Sequence, residues 1–224
     1  MTTRVATRRI DVDTHFYPPI DYKALREYLP RGLVAQAQDM LVRDATRAAE
    51  PDRVAAETRG TALPSRHGSD PHRDPAARVA AMEKTGFDMQ VLIPDSLFAN
   101  LYYGASPSGG DLSLPIRTAL CQLYNDATAD AQRSYPDRLI GPLNIPFDDL
   151  EASIIEARRG VRDLGLWAVL IPGNWMGKNF DSLELYPFWG ALHELDDTVF
   201  VHHIPQSCRG RTTIDHQPRY PMLG

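Results

Sequence analysis

A repeated alternation of amphipathic helix and short apolar strand constrains the fold of this 224-residue chain more than any other feature. A first strand at 10–15 is followed by four units in which a helix precedes a strand. The later strands are predicted at 88–94, 138–145, 166–171 and 198–203, and the preceding helices at 74–85, 115–135, 149–164 and 186–195. Helical crossovers force neighbouring strands to pair in parallel, so the chain is predicted to be an α/β protein.

The strands themselves indicate a sheet that is covered on both faces. Val91–Ile93 and Val169–Ile171 are continuous apolar runs, which is typical of parallel strands buried on both sides. No glycine-rich G-x-G-x-x-G segment follows a strand and no P-loop is present, so a doubly wound nucleotide-binding fold loses its main support. The pattern favours a TIM-like (β/α) barrel.

A long segment, 16–73, separates the first strand from the first regular unit. Its first half, from about 22 to 49, is predicted to be helical with a break near Pro30–Gly32, and its second half is rich in Pro, Gly, Ser, Asp and Arg and is predicted to be a loop. An insertion of this length in a compact domain indicates a lid over a site. A surface excursion without function is the alternative, and both remain open.

Composition excludes several kinds of partner and site. The net charge is −5 with both signs mixed along the chain, which argues against nucleic acid or an anionic membrane as a partner. No apolar run approaches the roughly 20 residues that span a bilayer. The basic start lacks the apolar segment of a secretory signal, and two cysteines, Cys121 and Cys208, form no disulfide framework. We therefore expect a cytoplasmic protein.

The first strand ends in two side chains that are able to bind a metal ion, Asp13 and His15. Alternate residues of a strand point to the same face, so the two lie about 7 Å apart along it. A carboxylate and an imidazole at this spacing form a site for one divalent cation. An acidic residue two positions before a histidine also occurs by chance, so the pair needs independent support.

That support is a second histidine stretch, His202–His203, at the end of the last predicted strand. Alternation allows only one of the two to face the barrel interior, and we favour His202. A packed or supporting imidazole is the alternative. In such barrels functional groups lie at the carboxyl ends of the strands, so Asp13, His15 and His202 are predicted to converge on a divalent metal, with zinc preferred and manganese or iron suitable.

Motifs in the same order as in a known family run through nearly the whole chain. They are Ile10-Asp-Val-Asp-Thr-His15, Asp74-Pro-Ala-Ala-Arg-Val-Ala-Ala-Met82, Gly86-Phe-Asp-Met-Gln-Val91, Tyr124-Asn-Asp126, Tyr135-Pro-Asp-Arg-Leu-Ile-Gly141, Leu164-Gly165, Asp181-Ser-Leu, Tyr186-Pro-Phe-Trp189 and Val199-Phe-Val-His202. The chain resembles the amidohydrolase superfamily, in particular the amidohydrolase-related group that contains aminocarboxymuconate semialdehyde decarboxylase and the aromatic-acid decarboxylases.

The resemblance implies a TIM-like barrel with one catalytic divalent metal, whose ligands fall on Asp13, His15 and His202. The family also has a histidine at the end of the sixth strand and an aspartate at the end of the eighth, and neither can be placed here. His216 lies in polar, proline-bearing sequence and is not assigned. Such barrels occupy about 250 residues or more. We therefore expect residues 1–224 to be a single barrel domain truncated at its C-terminus, with about five of eight β/α units.

The function that the resemblance implies is metal-dependent hydrolysis or non-oxidative decarboxylation of a small carboxylated aromatic or unsaturated acid. A homo-oligomer is compatible with it. The alternative is an inactive fragment or an interaction module that needs another chain to complete the barrel. The first-loop arginines are candidates for contacting the substrate carboxylate, and none is assigned: Arg26, Arg31, Arg43 and Arg47. Trp175, after the fourth strand, either lines the pocket or packs on the loop.

Overall fold

The computed structural model describes residues 7–16, 24–38, 71–94, 113–146, 149–171 and 180–202. The strands are β1 Ile10–Phe16, β2 Met89–Pro94, β3 Leu139–Ile140, β4 Pro142–Leu143, β5 Ala168–Ile171 and β6 Thr198–Val201. The helices are α1 Leu25–Tyr28, α2 at 31–38, α3 Pro75–Thr85, α4 Leu114–Ser134, α5 Leu150–Arg162 and α6 Tyr186–Leu195, with a 3₁₀ turn at Leu183–Leu185.

All strand pairs in the described residues are parallel. They form two three-stranded sheets with the orders β1-β2-β3 and β4-β5-β6. Only Gly141 separates β3 from β4, so the two are halves of one extended segment that joins both sheets. The described strands thus occupy five positions in chain order, which confirms the predicted parallel α/β class. The single strand predicted at 138–145 is divided in two.

Close packing of helices explains the glycines beside this central segment. A Cβ atom built on Gly141 would lie 2.3 Å from Cγ2 of Thr128 in α4. A Cβ atom on Gly160 of α5 would lie 2.7 Å from Cδ2 of Leu143. A methyl group at either position would push a helix away from the strand, so the absence of a side chain sets the distance between the layers.

The observed helix ends lie where the capping residues of the sequence predict them. The side chain of Asp74 accepts a hydrogen bond from the backbone N–H of Ala76, Pro75 opens α3, and Gly86 closes it with φ 75°. Asp149 caps α5 in the same way, through the N–H of Ala152. In the first loop, α1 ends at Tyr28 and α2 begins at residue 31, so the predicted break falls one or two residues earlier than expected. The predicted helical residues 39–49 lie outside the described residues.

The buried faces of two helices do not follow from apolar residue type alone. In α3, Ala76 and Ala80 are exposed, whereas Arg78 and Met82 are buried. In α5, Ile155 is 60% exposed, whereas Ser153 and Glu156 are buried. The spacing of apolar side chains indicates that a segment is helical, but the elements that pack against the helix decide which of its residues are buried.

Apolar clusters between the sheet and the helices form the outer layer of the molecule. One joins β4 and β5 to α5 and α6, and its buried members are Ala129, Leu143, Ile145, Ala157, Leu166, Val169, Ile171, Leu185, Phe188 and Leu192. A second joins β1 and β2 to α3 and α4 through Phe16, Met82, Leu92, Ala131 and Leu139. Because these strand residues face the helices, the residues that alternate with them face the opposite side of the sheet, here called the inner face.

Helices α1 and α2 of the first loop pack against α4 rather than against a strand. The buried members of this third cluster are Leu25, Leu29, Val34, Ala37, Ile116, Ala119, Leu120, Cys121, Leu123 and Tyr124. Within the described ranges, no helix combines the length and the apolar character that crossing a membrane requires.

Candidate active site

Asp13 and His15 project from the last half of β1, and both side chains are exposed. The neighbouring residues face the helices: Phe16 is buried in the outer layer, and Thr14 donates a hydrogen bond of 2.6 Å to the carbonyl of Val91. The register of β1 against β2 shifts between Asp11 and Thr14. Asp13 and His15 nevertheless contact the same third residue, so both lie on the inner face.

That third residue is His202, immediately after β6. Its backbone N–H donates to the carbonyl of Ile171 at 2.9 Å, which continues the sheet for one more residue. Its Nε2 atom lies 3.5 Å from Oδ1 of Asp13, and its ring centroid lies 6.4 Å from that of His15 in an edge-to-face arrangement. The structure therefore brings together all three residues that the sequence singled out. His203 lies outside the described residues.

This contact requires a strongly curved sheet. β1 and β6 occupy the two ends of the five-position array, and four strand spacings in a flat sheet would separate them by about 19 Å. Side chains that reach one another from these ends show that the array curls around its inner face. The carboxyl ends of the strands therefore surround a common axis, as they do in a barrel.

The strand register shows the stagger that a barrel needs. His15 pairs with Ile93, Pro142 pairs with Ala168, and Ala168 pairs with Thr198. If the offset of the Val91–Ile140 pair is extended by two residues, Pro142 lies opposite Ile93, so that one path leads from His15 to Thr198. His202 lies four residues beyond Thr198 (202 − 198 = 4), yet it is His202 that meets the His15 ring. A shift of four residues over four strand steps is one residue per strand, which is the ratio of shear to strand number in TIM barrels.

A hydrogen bond fixes the orientation of the His15 ring. Its Nδ1 atom lies 3.3 Å from the carbonyl oxygen of Pro94 at the end of β2. Since a carbonyl only accepts, Nδ1 is the donor in this contact, and in the neutral ring the lone pair then lies on Nε2. A backbone carbonyl that holds one ring nitrogen while the other is available to a cation is the usual support of a metal-binding histidine.

Arg78 supports the same residue from behind the sheet, and the sequence analysis did not identify it. Its guanidinium donates to the backbone carbonyl of His15 and, at 3.1 Å, to Oε1 of Gln90. It also lies over the Phe16 ring at 5.6 Å. Arg78 is only 4% exposed. Its position four residues before Met82, on one face of α3, is the sequence signal that would have indicated burial.

The donors fit a divalent cation in kind and partly in spacing. Two ligands that each lie about 2.1 Å from a tetrahedral ion are about 3.4 Å apart, close to the 3.5 Å between Asp13 and His202. The His15 ring stands farther off, so within the described ranges no three His, Cys, Asp or Glu side chains already surround one point. Carboxylate and imidazole together suit zinc and manganese.

The other candidate residues do not join this centre. Arg26 and Arg31 are exposed and line a surface cleft of about 580 Å³ beside α2. Arg43, Arg47, Trp175 and His216 lie outside the described residues. One residue that the sequence analysis missed is Asn144, which follows β4 and is 2% exposed. It lies in the segment predicted as a strand, but only the fold shows which face it occupies.

Comparison with known proteins bears on the motifs and on this geometry together. A family model described as amidohydrolase matches residues 10–220. The chain belongs to the amidohydrolase family. The match spans β1 to beyond β6 and includes Asp13, His15 and His202. The resemblance inferred from the motifs is confirmed, and the parallel array is assigned to the TIM-barrel fold of that family.

Two curated relatives of this amidohydrolase are decarboxylases. A 2-amino-3-carboxymuconate-6-semialdehyde decarboxylase of Dictyostelium discoideum is 31% identical over 147 residues, which are 66% of this chain and 37% of that protein. A gamma-resorcylate decarboxylase of Rhizobium sp. (strain MTP-10005) is 31% identical over 94 residues, which are 38% of this chain and 29% of that protein.

A solved structure shares the fold. The 5-carboxyvanillate decarboxylase of Novosphingobium aromaticivorans, with bound manganese and 3-methoxy-4-hydroxy-5-nitrobenzoic acid, superimposes with a TM-score of 0.56 and 24% identity. The match covers 88% of this amidohydrolase and 51% of that chain. The chain thus spans about half the length of this structure and about a third of the length of the curated relatives.

Proposed function

We propose that this amidohydrolase is a metal-dependent, non-oxidative decarboxylase of a small carboxylated aromatic or unsaturated acid. The observation that carries the proposal is the meeting of Asp13, His15 and His202 across the inner face, from strands at opposite ends of the array. The Asp-x-His pair alone is a weak signal. Its convergence with a strand-end histidine, in a chain of this family, gives the three residues a common role as metal ligands.

Asp13 and His202 would hold the ion through Oδ1 and Nε2, and His15 through Nε2, the nitrogen that Pro94 leaves free. A bound divalent metal supplies electrostatic stabilisation of substrate oxygens. The chain's own contribution is to orient these donors: the carbonyl of Pro94 fixes the His15 ring, and Arg78 holds the backbone of the same residue. We favour manganese over the zinc preferred from ligand type alone, because the structural neighbour carries manganese.

Decarboxylation is preferred to hydrolysis because both curated relatives are named decarboxylases. In this reaction the bond between the carboxyl carbon and the substrate carbon breaks, carbon dioxide leaves, and a proton replaces it. The same relatives make an enzymatic role a better explanation than a non-catalytic interaction module. The predicted roles of residues 16–73 as a lid and of residues 1–224 as one barrel domain, and the predicted cytoplasmic location and homo-oligomer, complete the proposal.

The test is turnover by the manganese-loaded protein. Carbon dioxide release is measured with gamma-resorcylate and with a panel of aromatic and unsaturated carboxylates, and metal content is measured in parallel. We expect His15→Ala to lose bound manganese and turnover together. His193→Ala removes an exposed histidine in the last turn of α6 and serves as the matched control, with metal and turnover retained. Wild-type protein that binds manganese at one site but decarboxylates none of the panel would overturn the proposed reaction.

A further inference from the structure

We propose that Asn144 is a substrate-binding residue of this site, which donates through its side-chain amide to a carboxylate or phenolic oxygen of the substrate. The inference rests on the proposed function and adds to it one contact between the protein and the substrate. Asn144 lies at the carboxyl end of the central strand segment, directly after β4. Three observations carry it: the face on which the side chain lies, its level in the barrel, and its lack of a described partner.

The residues around Asn144 determine its face. Gly141 abuts Thr128 of α4, and Leu143 and Ile145 are buried in the outer layer against the helices. Residues 141, 143 and 145 therefore face outward, and residue 144 faces inward by alternation. The inner face is the concave side of the array, where Asp13, His15 and His202 converge.

The stagger of the strands determines the height of Asn144 along the barrel axis relative to His15. His15 pairs with Ile93, and extending the β2–β3 offset by two residues beyond the Val91–Ile140 pair places Pro142 opposite Ile93. At one residue per step, the residue level with His15 on the central segment is two further on, which is Asn144 (142 + 2 = 144). The rule itself is read from His15 and His202, which are four steps apart and whose ring centroids lie 6.4 Å from each other. Side chains of alternate strands form one layer inside such barrels, so His15, Asn144 and His202 share a layer.

The chemistry of the side chain points to an absent ligand. Asn144 is 2% exposed, and within the described residues neither Oδ1 nor Nδ2 of its amide has a hydrogen-bond partner. Buried polar groups are rarely left unpaired, because each such group costs about 1–3 kcal/mol. An amide on the inner face, level with the metal-binding histidines, has its donor placed for the oxygen-rich acids that these enzymes decarboxylate.

The backbone of Asn144 is held so that its side chain remains on the inner face. Asn125 of α4 accepts from the N–H of Asn144 at 2.7 Å and donates to its carbonyl at 2.8 Å. Asn125 also donates to Glu156 at 2.7 Å, which fixes the orientation of its amide. The donors and acceptors of Asn144 that face the helices are thus its backbone groups, and only the side-chain amide remains for a ligand.

The experiment measures binding of gamma-resorcylate to the manganese-loaded protein by calorimetry, together with the unfolding temperature of the ligand-free protein. Asn144→Ala removes the amide, and Asn144→Asp keeps its shape but replaces the donor by a negative charge. We expect both to bind gamma-resorcylate about tenfold more weakly or worse, since a hydrogen bond to a charged group is lost. The ligand-free Asn144→Ala protein should unfold at a temperature no lower than wild type, because it loses a buried amide without described partners.

Thr128→Val is the matched control. The Thr128 hydroxyl is also buried without a partner in the described residues, but it lies on the helix side of the same segment. We expect this variant to bind gamma-resorcylate like wild type. Unchanged affinity in both Asn144 variants, or lower stability of Asn144→Ala with unchanged affinity, overturns the inference and leaves the proposed function standing. Failure of the manganese-loaded wild-type protein to bind gamma-resorcylate or any other acid of the panel overturns both.

Discussion

The Nε2 atom of His202 lies 3.5 Å from Oδ1 of Asp13, although the two residues belong to the first and last strand positions of the described array. This relationship joins the fold to its chemistry. The sheet must curl for the contact to form, and the same curvature directs both side chains to one point on the inner face. The side chain of Asp13 is 67% exposed and that of His202 is 22% exposed, so the pair is accessible to an ion from solution.

Metal binding is the first property that this pair predicts. Manganese that binds only the folded protein raises the unfolding temperature, and a 100-fold excess over the dissociation constant adds about 2.7 kcal/mol. We expect His202→Ala and Asp13→Ala each to weaken manganese binding more than about tenfold, because each removes a proposed metal ligand. The shift in unfolding temperature on titrating manganese measures this, with His193→Ala again as the control. If manganese raised the unfolding temperature of His202→Ala or Asp13→Ala as much as that of wild type, the assignment would be contradicted.

Arg78 provides a second prediction, because it holds the backbone carbonyl of His15 without being one of the proposed metal ligands. Arg78→Met keeps an apolar stem beside Phe16 but removes the donors to the carbonyl of His15 and to Gln90. We expect a loss of about 2–4 kcal/mol in the free energy of unfolding and roughly tenfold weaker manganese binding. Urea unfolding and calorimetry measure the two effects separately.

The matched control for Arg78 is Arg158→Met, which breaks a 3.0 Å ion pair with Glu194 between side chains that are 43% and 62% exposed. Exposed pairs contribute about 1 kcal/mol or less, so this variant should change stability little and metal binding not at all. If Arg78→Met lost stability but retained full metal affinity, its role would be structural only.

The parts of the fold that the sequence predicts well depend on local chemistry. Asp74, Pro75 and Gly86 specify the ends of α3 whatever packs against it, and the predicted bounds of α6, 186–195, agree with the structure. The preference for His202 over its neighbour used only the alternation of side chains along a strand. That rule is local as well, but the preference itself stays a prediction, because His203 lies outside the described residues; the structure shows only that His202 lies near Asp13.

The parts that the sequence could not predict depend on distant residues. Arg78 is buried because a carbonyl of β1, the side chain of Gln90 and the Phe16 ring surround its guanidinium. Nothing within α3 indicates those partners. Asn144 lies between the apolar residues Leu143 and Ile145, and its proposed level with His15 depends on the register of several strands, which no single segment contains.

A polar network that links the first loop to the barrel helices gives a third prediction. Tyr28 of α1 donates to Oδ2 of Asp126, whose other oxygen lies 2.6 Å from Arg159, and Arg159 lies 2.7 Å from the buried carboxylate of Glu156. Tyr28→Phe should cost about 1–2 kcal/mol, because it leaves Asp126 without this donor. We expect amide exchange to accelerate in residues 24–38 more than elsewhere, as mass spectrometry would measure.

The pH dependence of the same variant follows from the pKa of Tyr28, which burial and the Asp126 carboxylate raise well above its ordinary value. Because the pKa is raised, the contribution of the Tyr28 hydroxyl to the free energy of unfolding is complete below about pH 10 and is lost as the pH rises further. The wild-type advantage over Tyr28→Phe should therefore shrink only in alkaline solution. Tyr186→Phe, at a side chain that is 58% exposed, is the control and should change the free energy of unfolding little. A constant difference up to pH 12 would contradict the expected ionisation of Tyr28.

Asp197, just before β6, gives the last prediction, because its partial burial disfavours the ionised carboxylate. Burial raises the pKa of Asp197, and a hydrogen bond from the backbone of Thr198 offsets this only in part. Its Oδ2 atom has no partner within the described ranges. A folded-state pKa above the unfolded value of about 3.9 means that stability is greatest below that pH and falls as the carboxyl ionises. Asp197→Asn should therefore raise the free energy of unfolding at pH 7, by up to about 1 kcal/mol.

Below about pH 4 the advantage of Asp197→Asn should disappear, since the wild-type carboxyl is then protonated in both the folded and the unfolded chain. Unfolding temperatures measured from pH 3.5 to 7.5 follow this convergence. Asp181→Asn, at an exposed carboxylate, is the control and should change stability by less than about 0.5 kcal/mol at any pH. A destabilised Asp197→Asn protein at pH 7 would show instead that the ionised carboxylate has a favourable partner at the start of β6, and that the strand carrying His202 depends on its charge.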